Sequence, residues 1–422
     1  MKAVILAGGF GKRLKSVTDN MPKPMTRVCG KPVLEHQVEI LKKEGINEFV
    51  FVVGYLSEMI TDYFGDGSRL GVGISYYEED EPLGTGGALF KLGLKEDFLL
   101  CNGDLIFDFS LKEMVRFHKS NNALATLLTH PNNHPYDSTL LSVSSENRVR
   151  AVIRSDSKPY AYANLCNGGI QIVSPELLSL YNFSGRADFD KDIIEPAVKT
   201  GRIFSYKTWE YVKDMGTPER LNGVERDVEK GTVKNKHRGN MQKAVFLDRD
   251  GTVNVQKGYI TRPEEMELLP GAAQAISRFN RAGYLTVIVT NQPVIARGEC
   301  SFETLEEIHN RLETLLGEEG AYVDGIYFCP HHTDKGFENE VEELKINCRC
   351  RKPAPGMLLK AREDFNIDMS KSFMVGDSLR DVEAGINAGC KSVYLGNYGD
   401  IPLPNNVDVY DSLLSFSESV TE

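Results

Sequence analysis

Two α/β domains in tandem are the fold that this sequence predicts. In both halves of the chain, short apolar segments of strand length alternate with segments of helical periodicity, a pattern typical of parallel sheets covered by helices. A length of 422 residues suits two or three domains that each bury a core. The charged stretch over residues 225–242 has no strong apolar period. We therefore predict domains at residues 1–225 and 243–422, joined by a linker at residues 226–242.

The N-terminal half begins with a strand that runs into a glycine-rich turn. Residues 2–6 are almost entirely apolar, as expected for a buried strand. Residues 32–43 carry apolar side chains at helical spacing and are followed by a glycine that ends the helix. Residues 48–53 and 98–101 are two further apolar runs of strand length. This order predicts a Rossmann-like domain.

The C-terminal half shows the same alternation. The predicted strands cover residues 243–247, 284–290, 374–376 and 392–395, and the predicted helices cover residues 271–282 and 302–316. The second of these helices is amphipathic. A second Rossmann-like domain is therefore expected.

The composition narrows the function classes. A net charge of −11 argues against a general nucleic-acid binder, whose affinity depends on clustered basic residues. No apolar run reaches the ~18 residues of a membrane span, and the N-terminus lacks a secretory pattern. Eight cysteines are few for this length, so no disulfide scaffold is expected. We expect a cytoplasmic protein with neither nucleic acid nor membrane as a partner.

A glycine-rich turn with basic residues follows the first strand. Gly8, Gly9 and Gly11 would let backbone N–H groups approach phosphate oxygens. Arg13 and Lys23 could neutralise a triphosphate and a leaving pyrophosphate. The glycines alone would fit a tight strand-to-helix connection, but the added basic residues favour a nucleotide-phosphate site. The pattern is not a dinucleotide fingerprint, because basic residues crowd the loop and no acidic residue stands at the ribose position.

With further motifs, this half resembles the sugar-phosphate nucleotidyltransferase family over about residues 1–225. The motifs are Leu6-Ala7-Gly8-Gly9, Pro22-Lys23-Pro24, Glu81-Pro82-Leu83-Gly84-Thr85-Gly86-Gly87-Ala88, Gly103-Asp104, Asn167-Gly168-Gly169, Phe189-Asp190-Lys191-Asp192 and Asp214-Met215-Gly216-Thr217-Pro218. The resemblance implies a mixed sheet. It also implies catalysis by positioning and charge neutralisation, without a covalent enzyme intermediate.

The resemblance assigns roles to individual residues. The implied nucleotide-binding residues are Leu6, Ala7, Gly8, Gly9, Gly11, Arg13, Lys23, Gly84, Gly86 and Gly87, of which Arg13 and Lys23 would also assist catalysis. The implied sugar-phosphate contacts are Asn167, Gly168, Asp190 and Lys191, and the implied Mg²⁺ ligands are Asp104 and Asp214. Residues 83–87 look most like those of guanylyltransferases acting on mannose-type sugar 1-phosphates. GTP is therefore favoured as the nucleotide, and another NTP stays open.

Two carboxylates follow the first strand of the C-terminal half, in Asp248-Arg249-Asp250-Gly251-Thr252. Carboxylates two residues apart just beyond a strand can both reach one phosphate, one as nucleophile and one as general acid and base. Polar or charged residues that could assist them also follow later strands or precede a helix. They are Thr290, Asn291, Lys352, Asp377 and Asp381.

This order resembles the haloacid dehalogenase superfamily of phosphatases over about residues 243–398. By that resemblance, Asp248 forms an aspartyl-phosphate and Asp250 is the acid and base. Asp248, the backbone carbonyl of Asp250, and Asp377 would bind Mg²⁺. Thr290 and Lys352 would stabilise the transferring phosphoryl group, and Asn291 would contact the substrate.

Three cysteines and a histidine suggest a metal site near Lys352. Cys329, His331, Cys348 and Cys350 have the number and type of ligands of a closed, structural Zn²⁺ site. The same cluster before Arg351-Lys352-Pro353 resembles the phosphatase subgroup acting on histidinol phosphate and D-glycero-D-manno-heptose 1,7-bisphosphate. Arg351 is then a candidate contact for a second phosphate or a sugar hydroxyl.

Together the halves predict a bifunctional enzyme of GDP-D-glycero-α-D-manno-heptose biosynthesis. It would remove the 7-phosphate of heptose 1,7-bisphosphate and then transfer GMP from GTP to heptose 1-phosphate. One alternative is a nucleotidyltransferase for another sugar or an amino-alcohol phosphate, fused to a histidinol-phosphate-type or other small-molecule phosphatase. Another is that one half is an inactive binding or regulatory module. A homo-oligomer is left open.

Overall fold

The structure, a computed structural model, describes residues 1–9, 21–396 and 402–421. The chain forms two compact units. The first comprises residues 1–130, 141–152 and 167–237, and the second comprises residues 131–140, 153–166 and 238–422. The division into domains at 1–225 and 243–422 stays a prediction.

The first unit contains most of the N-terminal half. Its strands β1 to β13 are Ala3–Leu6, Arg27–Val28, Lys31–Pro32, Glu48–Val53, Gly73–Glu78, Phe98–Asn102, Leu105–Asp108, Ala125–His130, Leu140–Val143, Val149–Ile153, Cys166–Val173, Ile203–Lys207 and Tyr211–Asp214. Its helices α1 to α7 are Val33–Lys43, Ser57–Phe64, Leu111–Ser120, Pro175–Ser179, Glu195–Ala197, Pro218–Glu229 and Thr232–Asn235. The predicted strands at 2–6, 48–53 and 98–101 and the helix at 32–43 are confirmed within two residues.

The sheet of this unit is mixed, as predicted. Its strands follow the order β10-β9-β11-β6-β1-β4-β5, with β8 joined to β11 and β12. The central strand β1 is parallel to both β4 and β6, whereas β11 is antiparallel to β6. Two apolar clusters, one on each side of β1, bury its alternating side chains. The carboxyl end of β1 therefore lies between two parallel neighbours, where ligands bind in open α/β sheets.

Two helices extend into the linker predicted at residues 226–242, since α6 ends at Glu229 and α7 covers Thr232–Asn235. Helix α6 begins after Thr217, whose hydroxyl caps it by accepting a hydrogen bond from the Arg220 backbone. Val224 of α6 and Val233 of α7 are buried against Ile106 of β7. The helical period there is short and interrupted by charges, which is why the sequence pattern missed it.

The second unit contains one parallel sheet. Its strands β14 to β19 are Ala244–Leu247, Leu285–Asn291, Gly325–Cys329, Phe373–Gly376, Lys391–Leu395 and Asp408–Tyr410, and its helices α8 to α12 are Ala272–Arg281, Phe302–Glu318, Gly356–Phe365, Leu379–Ala388 and Leu413–Thr421. The strand order is β16-β15-β14-β17-β18-β19, and neighbouring strands are parallel. The predicted strands and helices of this half are confirmed.

Residues 153–166 pack against α9 within this unit. The Tyr162 backbone N–H donates to the Thr314 hydroxyl at 3.0 Å, and the Asn164 N–H donates to Glu313 Oε2 at 2.7 Å. Arg311 stacks over the Tyr160 ring at 4.0 Å. These contacts fix one face of α9, the helix whose His309 is described below.

Candidate active sites

The carboxyl ends of three central strands bring together carboxylates of the second unit. Asp248 directly follows β14, and Asp377 directly follows the neighbouring strand β17. A carboxylate oxygen from each of Asp248, Asp377 and Asp381 lies within 4.8 Å of the others. Thr290, near the end of β15 on the other side of β14, is buried. The structure thus places Asp248, Asp377 and Asp381 together, all three of which the sequence had singled out.

A buried lysine links two of these carboxylates. Lys352 Nζ lies 2.7 Å from Asp248 Oδ1 and 2.6 Å from Asp381 Oδ1. Asp381 also accepts hydrogen bonds from the backbone and hydroxyl of Ser378, which caps α11. The lysine therefore holds the side chain of Asp248 at the strand end.

Burial dominates the electrostatics of the cluster. Desolvation, with the neighbouring charge of Asp381, raises the pKa of Asp248 to about 7 despite the opposing effect of Lys352. Burial alone would lower the pKa of Lys352, but Asp248 and Asp381 outweigh it and raise that pKa. Burial and Asp381 also raise the pKa of Asp377. Three carboxyl groups outnumber the one lysine beside them, so the site is suited to an added cation.

Asp250 points to a different set of partners. Asn254 Nδ2 donates to Asp250 Oδ1 at 3.0 Å, and Gln292 Nε2 donates to Asp250 Oδ2 at 2.9 Å. The same Gln292 amide donates to the Thr290 hydroxyl at 2.9 Å. Gln292 thus joins the predicted acid and base to the predicted phosphoryl-binding threonine, a link that the sequence did not suggest.

The loop carrying Lys352 is fixed from two sides. Asn291 exchanges two hydrogen bonds with the Lys352 backbone, at 3.1 Å to its carbonyl and 3.0 Å from its N–H. Arg351 Nη1 donates to the His331 carbonyl at 3.2 Å. The structure therefore gives Asn291, predicted to contact the substrate, a part in placing Lys352.

The predicted metal-binding residues form one compact cluster. One ligand atom from each of Cys329, His331, Cys348 and Cys350 lies within 4.8 Å of the others. The sulfur–sulfur separations include 3.5 Å for Cys329–Cys348 and 3.2 Å for Cys348–Cys350, and His331 Nδ1 lies 3.3 Å from the Cys350 sulfur. Zn–S bonds of about 2.3 Å in a tetrahedron give S–S edges of about 3.8 Å, which is about 0.3–0.6 Å longer than these separations. All three cysteines are free thiols.

The glycine-rich turn of the first unit begins beside a neighbouring strand end. A Cβ on Gly8 would lie 3.0 Å from Glu79 Oε2 and 3.3 Å from the Gly54 nitrogen, whereas a Cβ on Gly9 would meet nothing within 4 Å. Leu6 ends β1, and Ala7 donates a backbone hydrogen bond to Val52. Gly11 and Arg13, predicted to bind phosphate, lie outside the described residues.

Two ion pairs join the predicted Mg²⁺ ligands to basic side chains. Lys23 Nζ contacts Asp104 Oδ2. Arg220 Nη1 lies 3.0 Å from Asp214 Oδ1. The two carboxylates belong to adjacent backbone segments, because Met215 N–H donates to the Asp104 carbonyl at 3.2 Å. The structure thus brings Asp104 and Lys23 together, and it adds Arg220 to the set.

The glycines predicted at the base and ribose pocket approach another segment closely. A Cβ on Gly84 would lie 2.5 Å from the Ala187 carbonyl oxygen, and one on Gly87 would lie 2.5 Å from the Gly185 carbonyl oxygen. A Cβ on Gly86 would lie 2.8 Å from the side chain of Ile193. In the described structure, the absence of a side chain at these glycines therefore lets their segment pack closely against residues 185–193.

The residues predicted at the sugar lie at the start of β11 and in a π-type turn. Asn167 Nδ2 donates to Asp190 Oδ1 at 2.9 Å. Burial, and then the charge of Asp188, raise the pKa of Asp190 to about 6 although Asn167 opposes the shift. Lys191 is exposed, and Gly168 packs near Leu128. Asn167 and Asp190 are thus brought together as one polar pair.

Comparison with known families fits both sites. Residues 2–231 match the family model of nucleotidyl transferases, and residues 137–389 match that of haloacid dehalogenase-like hydrolases. The chain belongs to both families. It is therefore a bifunctional enzyme that combines a nucleotidyltransferase part and a haloacid dehalogenase-like phosphatase part on one chain.

Individual relatives resemble one part each. The D-glycero-beta-D-manno-heptose-1,7-bisphosphate 7-phosphatase of Pasteurella multocida is 43% identical over 160 residues, covering 38% of this chain and 84% of that protein. A crystal structure of D,D-heptose 1.7-bisphosphate phosphatase from B. bronchiseptica, complexed with magnesium and phosphate, is 36% identical with a TM-score of 0.37, covering 42% of this chain and 98% of that one. HddC from Yersinia pseudotuberculosis is 26% identical with a TM-score of 0.47, covering 54% of this chain and 99% of that one.

Two side chains that contact the candidate site residues were not among those predicted from the sequence. Arg220 of the nucleotidyltransferase and Gln292 of the phosphatase acquire their roles only through folding. The signal for Arg220 was its place six residues after Asp214, across the first turn of α6.

Among the described residues, no helix is long and apolar enough to cross a bilayer.

The haloacid dehalogenase turn offers a test of how tightly Asp377 must be placed. Gly251 has a φ of +82°, and a Cβ there would lie 2.0 Å from Asp377 Oδ2. Gly258 has a φ of +81° but open space around its Cβ position. We expect Gly251→Ala to lower the rate of phosphate release about 100-fold, because the carboxylate must move. Steady-state phosphate release measures this effect.

Gly258→Ala is the matched control. It shares the left-handed backbone, so it should cost about 1 kcal/mol of stability, and its kcat should stay unchanged. Equal activity of the two variants would mean that displacing Asp377 does not impair the reaction.

Proposed function

We propose that the chain converts a heptose 1,7-bisphosphate into a GDP-heptose in two steps, with the phosphatase acting first. The observation that carries this proposal is the strong likeness of the phosphatase part to heptose 1,7-bisphosphate 7-phosphatases, on a chain that also holds a nucleotidyltransferase. Removal of the 7-phosphate yields a sugar 1-phosphate, which is the acceptor class of the other part. The product of the first activity would thus be the substrate of the second.

In the first step, Asp248 attacks the 7-phosphorus. The bond between phosphorus and the C7 oxygen breaks, and Asp250 gives a proton to the leaving oxygen. A water molecule then attacks the aspartyl-phosphate, Asp250 takes its proton, and orthophosphate leaves as Asp248 is restored. The contact between Lys352 and Asp248 supports this assignment, because Lys352 can neutralise charge on the phosphoryl oxygens. Thr290 would donate its hydroxyl to the same group.

The acidic cluster fits the Mg²⁺ that haloacid dehalogenase phosphatases use. Its donors are carboxylate oxygens, which Mg²⁺ prefers, and they converge from Asp248, Asp377 and Asp381. Asp248, Asp377 and the backbone carbonyl of Asp250 would hold the ion. When bound, it would offset the negative charge of the phosphoryl group.

In the second step, a phosphate oxygen of heptose 1-phosphate attacks the α-phosphorus of GTP and pyrophosphate leaves. Lys23 and Arg13 would neutralise the phosphates, while the backbone at Gly8, Gly9 and Gly11 would contact them. Asp104 and Asp214 would hold Mg²⁺ there. The ion pair between Lys23 and Asp104 supports this assignment. It lies beside the end of β1, because the backbone N–H of Gly103, next to Asp104, donates to the Leu6 carbonyl at 3.0 Å.

Sugar recognition in this step would use the polar pair formed by Asn167 and Asp190. An amide and a carboxylate offer both a donor and acceptors for sugar hydroxyls. Gly168 would allow close approach, and Lys191 would contact the sugar phosphate. GTP as the nucleotide rests on the sequence of residues 83–87 and is tested below.

The Cys and His cluster would hold one structural Zn²⁺ that fixes the loop carrying Arg351 and Lys352. Three thiols and an imidazole whose ligand atoms lie within 4.8 Å of one another support this assignment. We expect about one equivalent of zinc per chain. The double variant Cys348→Ser/Cys350→Ser should lose it together with phosphatase activity, because Lys352 directly follows the cluster. Metal content by emission spectroscopy measures the first effect.

The matched control is Cys300→Ser/Cys390→Ser, which removes two free thiols elsewhere in the same unit. It should retain the zinc and the activity. Metal-free unmutated protein with full phosphatase activity would contradict the zinc assignment.

Free thiols are also suited to the reducing cytoplasm, where we place the enzyme.

A coupled assay tests the whole proposal. The purified chain is incubated with Mg²⁺ and either anomer of heptose 1,7-bisphosphate, together with each of the four NTPs or dTTP. Orthophosphate release followed by GDP-heptose with GTP alone is the expected result. The Pasteurella relative is named for the β anomer, whereas the proposed product is α, so the two anomers must be compared.

Other results would change the proposal in defined ways. Orthophosphate without a nucleotide sugar would keep the phosphatase and direct the search to other acceptors, such as an amino-alcohol phosphate. A nucleotide sugar formed from another NTP would overturn the choice of GTP. No orthophosphate from either anomer would overturn the heptose substrate.

A further inference from the structure

The arginine that separates the proposed nucleophile from the proposed acid and base in the sequence is completely buried. Arg249 is the largest fully buried side chain of the described structure, with 0% exposure. Charged side chains are almost never fully buried without partners, because desolvating the charge is costly. Its partners therefore indicate why it is there.

The guanidinium joins Asp250 to a histidine on α9. Arg249 Nη2 lies 2.9 Å from Asp250 Oδ2, and Arg249 Nε donates to Asp250 Oδ1 at 3.2 Å. Arg249 Nη1 lies 3.3 Å from His309 Nε2. A guanidinium can only donate, so His309 Nε2 must accept and the ring proton must be on Nδ1. Burial, followed by the charge of Arg249, holds the pKa of His309 well below its usual range.

Both oxygens of the Asp250 carboxylate accept hydrogen bonds from neighbouring side chains. Asn254 donates to Oδ1 and Gln292 to Oδ2, in addition to the two contacts from Arg249. A carboxylate held at both oxygens has little freedom to rotate. Proton transfer to a leaving oxygen depends on such placement, since small displacements of a reacting group are costly.

We propose that Arg249 and His309 are positioning residues for Asp250. His309 accepts from Nη1 and so orients the guanidinium plane, and the guanidinium then orients the Asp250 carboxyl group. In its protonated form this group gives its proton to the leaving oxygen as the bond from that oxygen to phosphorus breaks, and it becomes a carboxylate. Both side chains are buried, so they would act on Asp250 and not on the substrate. This inference rests on the acid and base role proposed for Asp250, but it does not depend on which sugar phosphate is the substrate.

The test exploits leaving groups that do or do not need a proton. Nitrophenolate leaves without protonation, whereas unsubstituted phenolate and sugar alkoxides need general acid help. In full-length His309→Leu, we expect the single-turnover phosphorylation rate with phenyl phosphate to fall about 10-fold or more. With p-nitrophenyl phosphate it should change less than about threefold. His309→Gln, whose amide oxygen can accept from Arg249, should restore most of the phenyl phosphate rate.

His118 supplies the matched control, because it is also a buried histidine with a side-chain hydrogen bond, at 2.8 Å to Thr126, but lies in the first unit. His118→Leu should leave both aryl phosphate rates unchanged. If His309→Leu fails to fold, Arg249→Lys takes its place, since it keeps the charge but loses the planar fork. It should show the same selective loss.

Equal losses on both aryl phosphates would overturn the proposal, since they indicate a merely structural role. No loss on either, or no rescue by glutamine, would also overturn it. Activity absent on heptose bisphosphate but selective loss on phenyl phosphate would support the inference and contradict only the proposed substrate.

Discussion

Asp248→Asn is expected to abolish orthophosphate release while nucleotidyl transfer to supplied heptose 1-phosphate continues. An amide cannot form the aspartyl-phosphate, so the rate of phosphate release should fall by about 10⁴-fold or more. The transferase residues belong to the first unit, and none of them is altered. Phosphate release from the bisphosphate and pyrophosphate release from GTP with heptose 1-phosphate, measured on one preparation, provide the comparison.

The variant should remain folded, which makes the result interpretable. The raised pKa of Asp248 means that its ionised form is less favourable in the folded chain than in the unfolded chain. Ionisation of Asp248 therefore lowers stability as pH rises from its unfolded pKa through about 7. Asparagine removes this cost, so at pH 8 without added Mg²⁺ we expect a Tm no lower than that of the unmutated chain.

Asp364→Asn is a suitable control, because Asp364 is an exposed aspartate whose partners are Tyr327 and Lys360. It should retain both activities. Substantial phosphate release by Asp248→Asn would show that another group is the nucleophile and that the proposed phosphatase step is wrong.

The strand ends explain why the sequence could predict that several candidate phosphatase residues lie close together. Asp248 and Asp377 each follow a short apolar run, and parallel strands in one sheet bring such ends to one edge. The cysteine and histidine cluster was also predictable, since its ligands fall within 22 residues and have the chemistry of a metal site.

Other features depend on packing that no local pattern records. Arg249 stands between Asp248 and Asp250 in the sequence, and its partner His309 lies 60 residues further along the chain. Nothing in the period of α9 distinguishes His309 from a core residue. Likewise, α7 buries only Val233, too little apolar surface to reveal a helix in a charged stretch.

Asp104→Ala is expected to have the opposite effect to Asp248→Asn: nucleotidyl transfer should fall about 1,000-fold, equivalent to about 4 kcal/mol, with phosphate release unchanged. The change removes a proposed Mg²⁺ ligand and the carboxylate that contacts Lys23. Pyrophosphate release from GTP with heptose 1-phosphate measures the loss. Asp62→Ala, on the exposed face of α2, should retain full activity and controls for the loss of a negative charge.

The dependence on Mg²⁺ separates the two roles of Asp104. If the carboxylate holds the ion, Asp104→Ala should need a higher Mg²⁺ concentration for half-maximal transfer, because one of two protein ligands is gone. Lys23→Met should lower kcat without that shift, because it removes charge neutralisation but no ligand. An unchanged Mg²⁺ requirement in Asp104→Ala would contradict the ligand role. Asp104 would then act chiefly by orienting Lys23, and the ion pair rather than the metal would account for the loss.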